Sequence, residues 1–336
     1  MRLSLVHDCD HTMRIEFPGF FDLQVNGFAG VDFNTPGCTQ DQIRGAILAL
    51  RSTGVTRFLA TLITSSLERF RNCARAILEC SDPAIAGIHM EGPYISSDDG
   101  PRGAHPREHV IVASIEDFSR RQDAAAGRIA LVTLAPESHG AVGLIEHLVK
   151  SGVRVAIGHT GALPRQIRDA VSAGATLATH LGNGCAAQLP RHPNVLWEQL
   201  AADELFASFI ADGHHLPPAT LKSMVRAKRP DRSILVTDST AAAGGLAGQY
   251  TLGETRLELN AEGRVSTPGV FGLAGSALAM NVAVANTVRF TELSIDEVLP
   301  MASTLPARYM GIESAGRVSA EWDEENSVFR SLTIYG

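Results

Sequence analysis

The chain has 336 residues, 45% of them hydrophobic, enough to bury one large core or one core and a small satellite. A formal net charge of −7 without any basic tract argues against a nucleic-acid partner. Five cysteines with no CxxC, no run near the roughly 20 apolar residues of a membrane span and no signal-peptide core predict a soluble cytoplasmic protein with reduced thiols.

Residues 1–17 alternate polar and apolar (Leu3, Leu5, Met13, Ile15, Phe17) and predict one or two short strands of a side sheet. From Pro18 onward strand and helix patterns alternate. Strands are expected at Phe20–Val25, Thr56–Leu62, Ile85–Met90, Ile129–Leu134, Arg154–Ile157, Thr176–Thr179, Phe206–Ile210 and Ser233–Val236. Helical patterns fill the gaps at Gln40–Ser52, Ser66–Cys80, Ser114–Ala126, Gly140–Lys150, Leu163–Ala173, Val195–Leu200 and Pro217–Ala227, with Ser276–Arg289 closing the set. Eight of each over about 270 residues predict an α/β fold, a (β/α)₈ TIM barrel spanning residues 18–317. No GxGxxG follows the first strand, which disfavours a doubly wound dinucleotide-binding sheet. The eighth unit is interrupted. Residues 247–268 alternate like a β-hairpin (Tyr250, Leu252, Leu257, Leu259, Val265) around Asn260–Gly263. The tail, residues 318–336, looks strand-like and is expected to join residues 1–17 in a small, truncated β-subdomain made from the chain ends.

The residues from Arg154 to Asn183 carry the chemistry most openly. Two apolar runs, Val153–Ile157 and Ala175–Ala178, each end close to a histidine, His159 and His180, with a helix-like segment between. Such a β-α-β unit presents both imidazoles past the carboxyl ends of neighbouring parallel strands, where they can share a metal. The other expected strand ends carry Gln24 and Asn26, Thr61, Glu91, Glu137, Asp212 with His214 and His215, and Asp238. Glu91, His159 and His180, from strands three, five and six, are donors of zinc type, and three protein ligands leave a position open for water. Asp238, after the apolar run Ile234–Val236, is a carboxylate that can take a proton from that water.

At this point the chain resembles the N-acetylglucosamine-6-phosphate deacetylase family of the amidohydrolase superfamily, from Pro18 to Arg317. The matching blocks, in order, are PGFFDLQVNGFAG, HMEGPY, RGAH, TLAPE, GHTGA, THLGNG, ADGHH, VTDS and LAGSAL. The resemblance implies that Glu91, His159 and His180 hold a divalent metal and that Asp238 is the general acid/base. It also implies substrate contacts from Ala104, His105, Asn183, Gly184, Arg191, His215, Leu273, Ala274 and Gly275. Many superfamily members carry His-x-His on strand one for a second metal; here Gln24 and Asn26 stand in those positions. Two amides replace imidazoles poorly around zinc, so one divalent ion per chain is expected, Zn²⁺ first, with Fe²⁺ accepted by the same ligands. The chain departs from the family in its short N-terminal β-domain, in the segment after His180, and in His214, where an apolar residue is common.

The expected activity is hydrolysis of the N-acetyl amide of an amino sugar phosphate, N-acetylglucosamine 6-phosphate first. Deacetylation of another N-acyl amino sugar such as N-acetylgalactosamine 6-phosphate, a deaminase or cyclic amidase of the superfamily, and a silent sugar-phosphate-binding homologue are the alternatives. His215 is expected to hydrogen-bond the developing oxyanion. Arg191 lies eleven residues after His180 in LPRHPN. Its spacing and the following His-Pro resemble the family's phosphate-contacting loop, which implies a homodimer. With Gln24 and His215, Arg191 is expected to set the preference for a 6-phosphate.

Overall fold

The computed structural model describes residues 12–269 and 272–336, so Leu3 and Leu5 of the expected first strand lie outside the described residues. Eight parallel strands form one sheet: β1 (Phe20–Val25), β2 (Val55–Ile63), β3 (Ile85–Glu91), β4 (Ile129–Leu134), β5 (Arg154–Ile157), β6 (Leu177–Ala178), β7 (Phe206–Phe209) and β8 (Ser233–Leu235). Each pairs with its sequence neighbour, and the sheet curls until its edges meet. Val25 forms a parallel bridge with Ser239, and the Asn26 N–H donates to the Ser239 carbonyl at 2.8 Å. Asp22 fastens the same seam by accepting the Thr237 hydroxyl at 2.6 Å. Burial pushes the Asp22 carboxyl up to about 7 despite that bond. Every residue of β1 is buried, as a strand covered on both faces requires.

Helices cover the outside: α1 (Gln40–Arg51), α2 (Leu67–Cys80), α3 (Ile115–Ala124), α4 (Ala141–Lys150), α5 (Pro164–Ser172), α6 (Val195–Ala201), α7 (Pro218–Lys228) and α8 (Met280–Thr291). Their starts follow local chemistry. Thr39 and Gln42 cap α1 reciprocally, Ser66, Ser114 and Asn194 accept first-turn N–H groups, and α5 and α7 begin on proline. The eighth helix starts at Met280 rather than at the expected Ser276, because Ser276 is taken by the barrel seam, where it bridges Ser239. Two further helices, α9 (Ile295–Ala302) and α10 (Thr304–Met310), were not expected. Each is short and contains a proline, Pro300 or Pro306, which obscures the helical period.

Two three-stranded sheets flank the barrel, beside a two-stranded pair, Gly27–Phe28 with Val31–Asp32. Thr12–Pro18 runs antiparallel to Arg317–Asp323, which pairs in turn with Val328–Tyr335. Its aromatic face stacks at the amino end of β1, with Phe17 and Phe20 at 5.0 Å and Trp322 and Phe329 at 4.9 Å between ring centroids. The second sheet is the insertion. The alternation over residues 247–268 predicts one hairpin turning at Asn260–Gly263. The structure has three strands, Gly248–Leu252, Thr255–Leu259 and Val265–Ser266, and an earlier turn at Gly253, whose φ of +60° suits glycine. Leu252, Leu257, Leu259 and Val265 form a separate small core with Ile63, Ala242 and Ala274. Polar latches hold this sheet to the barrel's carboxyl-end loops. Asp32 accepts the Gly253 N–H at 2.8 Å, and Glu254 meets Arg69 at 3.0 Å and His109 at 3.1 Å.

Candidate active site and metal centre

Glu91 is the last residue of β3, while His159, His180 and Asp238 stand two, two and three residues past the ends of β5, β6 and β8. The last three adopt φ of +50°, +30° and +49°. This left-handed region is sparsely populated by residues other than glycine, and such strain persists where the surroundings over-determine it. The sharp turn at each strand end aims the side chains at one point. His180 Nε2 lies 3.0 Å and His159 Nε2 3.3 Å from Glu91 Oε1. Burial alone would raise the Glu91 carboxyl, yet the hydrogen bonds and charges of both histidines hold it well below the carboxylate range. Burial likewise pushes His159 down, and the Glu91 contact outweighs it, leaving the imidazole raised.

One carboxylate and two buried imidazoles are a donor set that suits a divalent ion. The second nitrogen of His159, Nδ1, lies 2.9 Å from the Pro101 carbonyl. A carbonyl only accepts, so Nδ1 carries the hydrogen and Nε2 offers the lone pair a metal needs. His180 Nδ1 is buried with no hydrogen-bond partner among the described residues, so that ring too is engaged through Nε2 alone. His105, expected among the substrate contacts, is drawn into this cluster. Ligand atoms of Glu91, His105 and His159 all lie within 4.8 Å of one another. The Thr64 N–H and hydroxyl approach His105 Nδ1 at 3.4 and 2.8 Å. That leaves Nε2 as the N–H, facing Glu91 Oε2 at 3.7 Å. Burial, with His159 beside it, pushes His105 down to about 3 and keeps it neutral.

Asp238 Oδ1 accepts from Asn26 Nδ2 at 2.7 Å and from Gln24 Nε2 at 3.0 Å. The same Gln24 nitrogen donates to Glu91 Oε1 at 2.9 Å. Gln24 is expected among the phosphate contacts; in the structure it bridges the two carboxylates. Both of its amide hydrogens are committed to carboxylates, at 1% exposure. Burial first, then the Glu91 charge, pushes the Asp238 carboxyl up to about 6. The Ser276 N–H holds the Asp238 carbonyl at 2.8 Å, so the Leu273–Gly275 turn abuts the end of β8. Gly275 is required there, because a Cβ would lie 2.5 Å from Thr240 Cγ2.

His215 Nδ1 donates to Asp212 Oδ2 at 2.6 Å. That bond outweighs the effect of burial and lowers the Asp212 carboxyl. His214 turns toward the insertion instead, its Nε2 lying 3.0 Å from the Glu262 carbonyl. Asn183 donates to the His180 carbonyl at 3.2 Å. A Cβ on Gly184 would lie 3.0 Å from His159 Nδ1, so that glycine permits the approach of the two loops. Ala104 packs on the insertion core. Arg191 is exposed, and its guanidinium has no partner among the described residues; the structure does not bring it into the buried cluster.

Sequence reasoning gave no role to Glu137, whose carboxylate accepts the Thr160 hydroxyl at 2.5 Å and the Gly161 N–H at 2.7 Å and so ties down the loop after His159. It also passed over His89 and Asp22. Both were detectable, since residues two apart on a strand share a face, and His89 precedes Glu91 as Asp22 precedes Gln24.

Comparisons with known proteins show the family of the chain. A sequence model of the Amidohydrolase family matches residues 15–323. The chain is 36% identical over 320 residues to human N-acetylglucosamine-6-phosphate deacetylase, covering 90% of this chain and 76% of that one. It is 33% identical over 302 residues to N-acetylgalactosamine-6-phosphate deacetylase from Escherichia coli O157:H7, covering 88% and 78%. A solved point mutant of N-acetyl-D-glucosamine-6-phosphate deacetylase from Mycobacterium smegmatis, in complex with N-acetyl-D-glucosamine 6-phosphate, superposes with a TM-score of 0.88. The two are 29% identical, over 96% of this chain and 86% of that one.

Proposed function

This chain belongs to the amidohydrolase family, in its N-acetylglucosamine-6-phosphate deacetylase branch, and from that premise we propose that it hydrolyses N-acetylglucosamine 6-phosphate to glucosamine 6-phosphate and acetate. The observation that carries this reading is the buried constellation in which two imidazole Nε2 atoms meet one Glu91 oxygen while Gln24 joins Glu91 to Asp238.

Glu91, His159 and His180 hold one divalent ion, zinc for preference, and His105 stays outside the ligand set because it presents an N–H. A bound divalent ion supplies Lewis acidity toward water and the amide carbonyl. Asp238 is the acid/base. Its Oδ1 is occupied by Asn26 and Gln24, which leaves Oδ2 to take the proton of the attacking water and return it to the leaving nitrogen. An amide nitrogen leaves as an amine only once protonated, so one carboxylate serves both steps. His215, its Nδ1–H anchored on Asp212, donates a second N–H from Nε2 to the carbonyl oxygen as negative charge builds there, which requires the ring to carry both hydrogens. Arg191, a fork with free donors, binds the phosphate of a sugar across a homodimer contact. Four free cysteines among the described residues accord with a reducing, cytoplasmic setting, and no described helix is long and apolar enough to cross a membrane.

A second reading is favoured by the relatives named N-acetylgalactosamine-6-phosphate deacetylase, at 33% and 32% identity. One assay separates the two: acetate release from both N-acetylhexosamine 6-phosphates and from the unphosphorylated sugars, on protein of known metal content. Fastest release from the glucosamine derivative is expected. Metal-loaded protein that releases acetate from none of them would sink the deacetylase reading.

A further inference from the structure

A polar layer crosses the barrel interior directly beneath the candidate metal ligands. His89, 1% exposed, stands two residues before Glu91 on β3 and shares its inward face. Its Nδ1 lies 3.1 Å from the Leu23 carbonyl of β1, and its Nε2 lies 2.8 Å from Thr133 Oγ1 of β4. Thr133 Oγ1 lies 2.7 Å from Thr179 Oγ1, next to His180. The proton order follows from the one member that cannot donate. The Leu23 carbonyl only accepts, so His89 Nδ1 carries the hydrogen, Nε2 accepts from Thr133, and Thr133 accepts from Thr179. Gly158 rests on the same two threonines, since a Cβ there would lie 2.7 Å from Thr133 Cγ2 and 2.8 Å from Thr179 Cβ. Leu23, Gly158 and Thr179 each immediately precede a residue of the site, Gln24, His159 and His180.

We propose that His89, acting through Thr133 and Thr179, is a positioning residue that sets the relative heights of β1, β3, β4 and β6 and so makes Glu91, His159 and His180 converge. Leucine or valine would fill the same space and tolerate small slips between strands. A chain of single donors matched to single acceptors does not, because a slip strands buried polar groups without partners. The layer thus converts hydrogen-bond satisfaction into ligand geometry, in the manner of outer-shell partners that orient metal ligands. The inference rests on the metal assignment made above.

The test compares His89→Leu, His89→Gln and Thr133→Val with the parent and with Val284→Ala, a buried α8 position outside the layer. Zinc affinity is read by competition with a chelator, alongside Tm and acetate release. His89→Leu and Thr133→Val are expected to weaken zinc binding about 10- to 100-fold, with a matching loss of turnover. His89→Gln should recover most of that affinity, since a carboxamide supplies one donor and one acceptor about as far apart as the two ring nitrogens. Val284→Ala should lower Tm and leave affinity unchanged. Parental affinity in the layer variants, affinity loss in Val284→Ala equal to theirs at equal Tm, or no recovery in His89→Gln overturns the proposal. Thr133→Val changes shape little and keeps the test open if His89→Leu fails to fold. A parent that binds zinc and releases no acetate overturns the substrate reading alone, because affinity still decides the layer; a parent that binds no zinc overturns both.

Discussion

The floor of the site and its rim are built by different rules. On the floor, Glu91, His159, His180, Asp238, Gln24 and Asn26 are all buried. They are joined by hydrogen bonds that span 67 positions, from Gln24 to Glu91, and 214 positions, from Gln24 to Asp238. On the rim, Arg191 is exposed and unpartnered among the described residues, and Asn183 reaches only three positions back. A buried carboxylate without donors is costly, so the floor is tolerable only when its members satisfy one another. Rim groups are satisfied by water and can change one at a time. Under the proposed function, reaction chemistry belongs to the floor and substrate preference to the rim, a division that experiment can break or sharpen.

The largest expected effect is on the floor as a whole. Exhaustive chelation should reduce acetate release to background and lower Tm, and close to one equivalent of zinc should restore both, since a ligand that binds only the folded state stabilises it. Recovery that requires a second equivalent would mean that Gln24 and Asn26 belong to another ion's site.

Next comes Asp238→Asn. Loss of the proton carrier should lower kcat by about 10²- to 10⁴-fold with metal content unchanged. The pH profile checks the same residue. The base must be ionised, so kcat/KM rises with pH through its pKa and levels above it. Burial and Glu91 push that pKa up to about 6, and a bound cation favours the carboxylate, so the acid limb should have its midpoint at or below about 6. Turnover within tenfold of the parent, or an unchanged acid limb in the variant, would move proton transfer away from Asp238.

On the rim, Arg191→Ala should cost about 10- to 150-fold in kcat/KM on the phosphorylated sugar. This matches roughly 1.5–3 kcal/mol for a charge-assisted contact. The unphosphorylated sugar should be nearly indifferent. Equal losses on both substrates would assign Arg191 to fold or assembly. The smallest effect is expected from His214→Leu, which frees the insertion from β7's loop by removing one bond to the Glu262 carbonyl. A rise in KM of about two- to tenfold at constant kcat is expected from one neutral hydrogen bond. A fall in kcat instead would place the insertion sheet in the floor's machinery.

The sequence by itself determined what local periodicity and strand-end chemistry can carry. Alternation of buried runs with helical patterns sets the (β/α)₈ order, because strand and helix periods are properties of neighbouring residues. The same logic puts Glu91, His159, His180 and Asp238 at one end of the barrel, and the structure gathers them there. Only the tertiary structure decided what depends on pairs distant in sequence: the Asp22–Thr237 seam, the commitment of Gln24 to two carboxylates, the capture of His105 beside His159, and the His89–Thr133–Thr179 layer. Nothing near Gln24 in the chain signals Asp238, since their approach exists only once eight strands have curled until the first meets the last. Short, proline-bearing α9 and α10 fall between the two cases. Their local signal is weak, and burial of Val298, Met301, Leu305 and Tyr309 supplies the stability that propensity lacks.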